Sequence, residues 1–210
     1  MTKEERIKLE LNRLQQLKDF DAQYDNVVGI DEVGRGPLAG PVVVCGIILD
    51  RDVDILYIND SKKVTKKRRF EIFDQLNKTA KKIVVAVRDN NYIDKYNILE
   101  ATKSAMLEVY EQFDDDNIFL VDAVDLKKDN VVSIIKGDEK SLSIAAASIY
   151  AKVYRDNLML EYSKKYVQYK FDKNSGYGTK EHRDALIEYG PCEIHRKTFI
   201  TKILKGDKYE

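Results

Sequence analysis

Val42–Leu49, VVVCGIIL, constrains the fold more than any other stretch of this chain. It has no polar side chain and is rich in β-branched residues, so it is too apolar for a surface helix. It is also far shorter than the roughly 20 residues a membrane span needs. It reads as a strand buried on both faces. A second short apolar run, Val27–Asp31, precedes it, and the chain must reverse between the two. The connecting string carries Asp31 and Glu32, then Gly34-Arg35-Gly36. Neighbouring strand residues face opposite ways, so two adjacent acids reach one site only if the strand stops and the chain turns there. Gly34 and Gly36 are expected to supply that turn.

The remaining periodicities alternate strands with helices. Helices are expected over Glu4–Phe20, Thr65–Asn77, Ile98–Gln112, Lys140–Tyr166 and Lys180–Tyr189, the last stopped by Gly190-Pro191. Strands are expected over Lys82–Arg88, Asn117–Val121 and Val131–Ile135. The long helix starts with small residues, SLSIAAASI, which let a helix lie close to a sheet. This pattern predicts an α/β fold with a mixed sheet flanked by helices. Three prolines and ten glycines leave no linker, so one unit is expected over residues 25–210, preceded by a helical extension over residues 1–24.

Charge narrows the function. Thirty-six basic and thirty-six acidic residues cancel, which argues against an architectural DNA-binding protein coated in cations. Ser61–Phe70, SKKVTKKRRF, nevertheless holds six cations and no acid, as a solvated surface or a phosphate-contacting patch. The two cysteines, Cys45 and Cys192, lie far apart with no disulfide framework. Together with a charged N-terminus lacking an apolar leader, this predicts a cytoplasmic protein.

Four acids fall at ends of expected elements: Asp31, Glu32, Asp122 and Asp138. Taken singly, Asp138 is as readily a helix cap and Asp122 is ambiguous. Clustered, they would repel and raise one another's pKa unless cations neutralised them. Oxygen-only ligands suit Mg²⁺ or Mn²⁺ rather than zinc, and two such ions form a clamp suited to a phosphodiester. The glycine-rich turn is no dinucleotide fingerprint, because Pro41 and a strand follow it where a helix is required.

Beyond these separate features, an ordered set of strings resembles bacterial ribonuclease HII. It comprises GIDEVGRGPLAGP, Asn59–Lys63, Tyr96–Thr102 and Lys136–Asp138, then Ser143–Ile149 with Arg155-Asp156. Gly176–Thr179 with His182, and Tyr189–Pro191 with His195-Arg196, complete it. The resemblance implies a ribonuclease-H-like sheet with a C-terminal helical region. It also implies a metal-dependent endoribonuclease acting, as a monomer away from membranes, on RNA–DNA hybrids and on DNA with embedded ribonucleotides. Asp31, Glu32, Asp122 and Asp138 fall on the family's catalytic and metal-binding acids. Gly34, Arg35, Gly36 and Tyr177 fall on its junction-sensing elements, and Ser61, Lys62 and Lys63 on a backbone-contacting stretch. Cleavage 5′ to the ribonucleotide, leaving 3′-hydroxyl and 5′-phosphate ends, follows by the same resemblance, in a setting of replication and ribonucleotide excision repair. Three departures stand out: Ala123 where glycine is usual, Ser175 where lysine is common, and Val167-Gln168-Tyr169 in place of a Pro-x-Tyr string. Only 30 residues precede Asp31, too few for the N-terminal substrate-binding domain of ribonuclease HIII. The competing readings are a nuclease of the same fold without junction specificity, and a nucleic-acid-binding module without catalysis.

Overall fold

A computed structural model describes residues 2–59, 61 and 63–206. Its centre is a hairpin of β1 (Val27–Val33) and β2 (Val42–Leu49), paired antiparallel with Asp31 opposite Cys45 and Glu32 opposite Val44. Strand β3 (Ala80–Arg88) adds antiparallel to β2. On the other side β4 (Ile118–Asp122) runs parallel to β1, and β5 (Val131–Ile134) parallel to β4. The order β3-β2-β1-β4-β5 is the mixed sheet expected from the alternating pattern.

Both faces of β2 are covered, which is why its sequence is continuously apolar. Helix α1 (Lys3–Asp21), α2 (Lys66–Thr79) and α4 (Leu142–Lys165) share one core cluster with β2. Helix α3 (Asn90–Tyr110) covers the opposite face through Ala105, Met106 and Val109. Leu14 and Leu17 bury the inner face of α1 in the first cluster. Cys45 is a buried free thiol, as its apolar surroundings predict.

The small residues opening α4 let it approach β1 so closely that a methyl on Gly29 would lie 2.1 Å from the Ser143 carbonyl carbon. In α3 the backbone breaks at Asn97 (φ 67°, ψ 168°), whose Oδ1 accepts from the Leu99 and Glu100 amides at 2.9 and 3.1 Å. That cap restarts the helix near Ile98, where periodicity placed its beginning.

The C-terminal region is helical, with α5 (Phe171–Asn174), α6 (Lys180–Tyr189) and α7 (Lys197–Leu204) around Tyr169, Phe171, Leu186 and Ile200. Helix α7 was not anticipated. It has eight residues, and Arg196 before it makes no side-chain cap. Among the described residues, no helix is long and apolar enough to cross a membrane.

Candidate active site

The carboxylates come together without the turn that the sequence seemed to require. Strand β1 does not stop at the acids but continues to Val33. What stops is its ladder with β4, whose last paired residues are Ile30 and Val121. The next residue on each strand is an aspartate, Asp31 and Asp122, so both stand where two parallel neighbours part. Glu32 follows on the same open edge, and its amide donates to Asp31 Oδ1 at 2.7 Å.

Burial pushes the Asp31 carboxyl well above its ordinary range, and the nearby charges of Glu32 and Asp122 push the same way. The Ser148 side chain of α4 and the Glu32 amide partly offset this by hydrogen bonding. Glu32 is also raised by burial, with Asp122 adding to the shift and Arg35 opposing it. Its Oε1 lies 3.4 Å from Arg35 Nη1, whereas Oε2 is buried and has no hydrogen-bond partner. A buried carboxylate oxygen without a donor is costly, and a hard cation is a partner that chemistry would accept. The donor set, all oxygen, fits Mg²⁺ or Mn²⁺. Among the described residues, however, no three acidic, histidine or cysteine side chains have closed into a ligand shell. The acids are neighbours that feel one another's charge rather than a finished cage.

Asp122 is oriented from one side, since its Oδ1 accepts from the Gly137 amide at 2.8 Å. Asp138 is the next residue, half-buried in the 3₁₀ turn Gly137–Glu139 before α4. It is therefore one residue from a direct link to Asp122.

The Gly34–Pro41 loop is held by two arginines whose role the sequence did not disclose. Both are completely buried. Arg196 donates to the carbonyls of Gly40 (2.9 Å), Arg35 (2.9 Å) and Gly34 (2.6 Å). Arg155 donates to Pro41 (2.9 Å), Ala39 (3.1 Å) and, across to the next loop, Ser175 (2.9 Å). In a trans peptide the carbonyl and the following N–H point oppositely. With the Gly34 and Arg35 carbonyls turned inward, the Arg35 and Gly36 N–H groups turn outward. Gly34 has φ +96°, and a methyl there would lie 2.3 Å from Arg155 Nε, so only glycine fits both the backbone and the clamp. The available signal was Arg155 at a seven-residue spacing from Ser148, hence on the same buried face of α4.

Tyr177 faces this loop. A methyl on Gly36 would sit 3.8 Å from the tyrosine Cε1, and the residue is 40% exposed. The Tyr177 and Gly34–Gly36 loops are joined by the Leu38 amide donating to the Gly176 carbonyl at 2.8 Å. Arg35 itself reaches toward solvent beside Glu32.

The basic segment is distributed differently. Ser61 is buried, its hydroxyl 3.2 Å from that of Ser148, which in turn bonds Asp31. Lys63 pairs with Glu139, Arg68 with Glu71, and Arg69 donates to the Ser61 and Val64 carbonyls. Lys62 lies outside the described residues. Lys66 and Lys67 are exposed in the first turn of α2, where helix polarity disfavours cations, a placement suited to an anionic ligand. Ser175, at the position where lysine is common, donates to Asp156 at 3.0 Å.

Comparison with known proteins agrees with this architecture. The family model described as Ribonuclease HII matches residues 28–202. A ribonuclease HII of Lactobacillus helveticus is 48% identical over 191 residues, spanning 90% of this chain and 76% of the relative. The ribonuclease H2 of Pyrococcus horikoshii has a similar structure, with TM-score 0.70, 26% identity, and coverage of 88% of this chain and 99% of that one. The fold alone is shared with Bst-RNase HIII in its complex with Mn²⁺, at TM-score 0.67 and 18% identity, covering 87% of this chain and 70% of that one. With a ribonuclease-H-like sheet, a strand edge lined by carboxylates and a match across most of its length, this chain belongs to the ribonuclease HII family of endoribonucleases.

Proposed function

We propose that this chain hydrolyses the RNA strand of RNA–DNA hybrids and cuts duplex DNA on the 5′ side of embedded ribonucleotides. Asp31, Glu32 and Asp122 hold divalent cations, Mg²⁺ or Mn²⁺, with Asp138 completing the site. When bound, these ions lower the pKa of the attacking water and neutralise charge on the leaving 3′-oxygen. The unpartnered buried oxygen of Glu32 supports that assignment.

The observation that carries the specificity is the approach of Tyr177 to Gly36. The outward N–H groups of Arg35 and Gly36 bond the 2′-hydroxyl, which distinguishes a ribonucleotide from its DNA neighbours. Tyr177's hydroxyl bonds the same oxygen while its ring packs on the next, deoxy, sugar. A ribose there would press its own 2′-hydroxyl into the ring. The scissile phosphate then lies 5′ to the last ribonucleotide, and the products carry 3′-hydroxyl and 5′-phosphate ends. Lys62, Lys63 and neighbouring cations contribute affinity along the backbone, with Ser61 supporting the site from beneath. Arg35 contacts a phosphate.

Cleavage of a DNA duplex with one ribonucleotide, in Mg²⁺, Mn²⁺ or chelator, tests the reading. Metal-dependent cutting 5′ to that ribonucleotide is expected. Equal cutting of an all-DNA duplex would instead assign a nuclease of this fold without junction specificity.

A further inference from the structure

We propose that His182 and His195 are positioning residues for Tyr177, acting through a one-directional hydrogen-bond chain of two neutral imidazoles. The proposal rests on the junction-sensing role given to Tyr177 above, but its geometry stands independently.

The direction of the chain follows from its two ends. At one end His182 Nδ1 lies 2.9 Å from the Tyr177 carbonyl, which only accepts, so Nδ1 carries the proton. At the other end the Cys192 amide donates to His195 Nδ1 at 2.9 Å, closer than the Cys192 thiol (3.1 Å) and carbonyl (3.3 Å) beside the same nitrogen, so the geometry favours a bare Nδ1. Each neutral ring then has its second nitrogen fixed: His182 Nε2 is bare and His195 Nε2 is protonated. These two nitrogens face each other at 3.0 Å, donor to acceptor. Reversing both tautomers would set two acceptors together at Tyr177 and give up the 2.9 Å Cys192 amide contact at His195 Nδ1 for the longer one to the Cys192 carbonyl. With these tautomers kept, protonating His182 Nε2 would set two N–H groups together, and protonating His195 Nδ1 would set an N–H against the Cys192 amide.

The surroundings favour the neutral pair. The two rings are 0% and 1% exposed. Tyr169 meets His195 edge-on at 4.8 Å and Phe171 meets His182 edge-on at 5.3 Å. Burial lowers the pKa of both histidines, His195 to about 4.

The chain joins the two halves of the proposed sensor. Its far end is the Cys192–Arg196 segment, where Arg196 holds the Gly34 and Arg35 carbonyls and His195 bridges to Ala39. Its near end is Tyr177, whose own amide is held by the Asn174 carbonyl at 2.9 Å. The histidines thus set the distance between Tyr177 and the Gly34–Gly36 turn without touching substrate.

Long-range ¹H–¹⁵N spectra of the full metal-free chain at pH 7 test the wiring directly. The expected result is His182 protonated at Nδ1 only and His195 at Nε2 only; the opposite tautomers, or a doubly protonated ring, overturn the proposal. Function is tested with His195→Leu, which removes the donor to His182, against His195→Gln, whose amide restores a donor. The Leu variant should lose about tenfold in the ratio of kcat/KM for a single-ribonucleotide duplex over a continuous hybrid, with faster amide exchange at Gly178 and Thr179, and the Gln variant should recover much of both. An unchanged exchange rate in the Leu variant overturns the positioning role. Should Tyr177→Ala leave the substrate ratio unchanged, the Tyr177 reading fails, while tautomers and exchange still decide the histidine pair.

Discussion

Arg196 Nη2 donates to the Gly34 carbonyl at 2.6 Å, joining residues 162 positions apart. This contact turns the Gly34 peptide so that the next N–H faces outward. Lysine keeps the charge, but its N–H donors radiate from one nitrogen and cannot span the three carbonyls that the guanidinium fork reaches. Arg196→Lys should therefore cost about 2–4 kcal/mol of stability, because it strands buried acceptors. It should also weaken selectivity for a single ribonucleotide. Urea denaturation and the substrate ratio check this; a variant equal to the parent in both measurements removes Arg196 as the clamp.

Ala123, the departure beside Asp122, has φ +52°. A left-handed backbone costs a non-glycine residue roughly 1–2 kcal/mol, part of which glycine's extra unfolded-state entropy offsets. Ala123→Gly should raise stability by about 0.5–1 kcal/mol and leave cleavage intact. A loss of stability would mean that the Ala123 methyl makes contacts worth more than its strain.

Asp31 lies against Glu32 and Asp122, with like charges and little water. Asp31→Asn keeps the shape and removes one charge, so the metal-free protein should become more stable by about 1 kcal/mol. The gain in Tm that Mg²⁺ or Mn²⁺ gives the parent should shrink, and turnover should collapse. Thermal melts with cation and with chelator decide it: an undiminished metal-induced shift excludes Asp31 as a ligand.

The histidine pair predicts an acid-side loss of stability. Both folded-state pKa values are depressed, so the unfolded chain binds more protons below the ordinary histidine value. Their contribution is complete above pH 6.5 and falls as pH drops from there toward about 4. For His195 that amounts to as much as about 3 kcal/mol. Asp21, Asp31 and Glu32, all raised, act in the opposite sense: they favour the fold at low pH and lose that share as pH rises. His195→Gln separates the two, since it should flatten the decline between pH 6.5 and 5 in urea titrations. A decline as steep as the parent's would assign the loss to other groups.

Much of this was legible from residue patterns. VVVCGIIL announced a strand covered on both sides, and SLSIAAASI a helix lying close to a sheet. The four acids were visible because the ends of apolar runs mark the ends of strands. That same rule failed at Asp31: apolarity ends there, but pairing with Cys45 and Val44 carries β1 onward. Only the ladder with β4 stops, and a break between strands leaves no mark on a single run. Arg155 and Arg196 were visible as residues but not as clamps, because partners made of backbone carbonyls have no sequence signature. The facing nitrogens of His182 and His195 depend on two loops meeting, which no local period encodes.

The parallel contact between β1 and β4 has a consequence for when the enzyme becomes dangerous. Asp31 and Asp122 lie on strands separated by the whole of β2, α2, β3 and α3. The β1–β2–β3 meander closes through near neighbours, whereas the β1–β4 pairing closes across that long connection, and distant pairings are the slow ones. An emerging or clipped chain that ends before Ile118 thus carries Asp31 and Glu32 but not Asp122. On the proposed assignment of Asp122 to the site, nucleolytic competence belongs to the finished sheet, and incomplete copies are expected to be harmless to the nucleic acid around them.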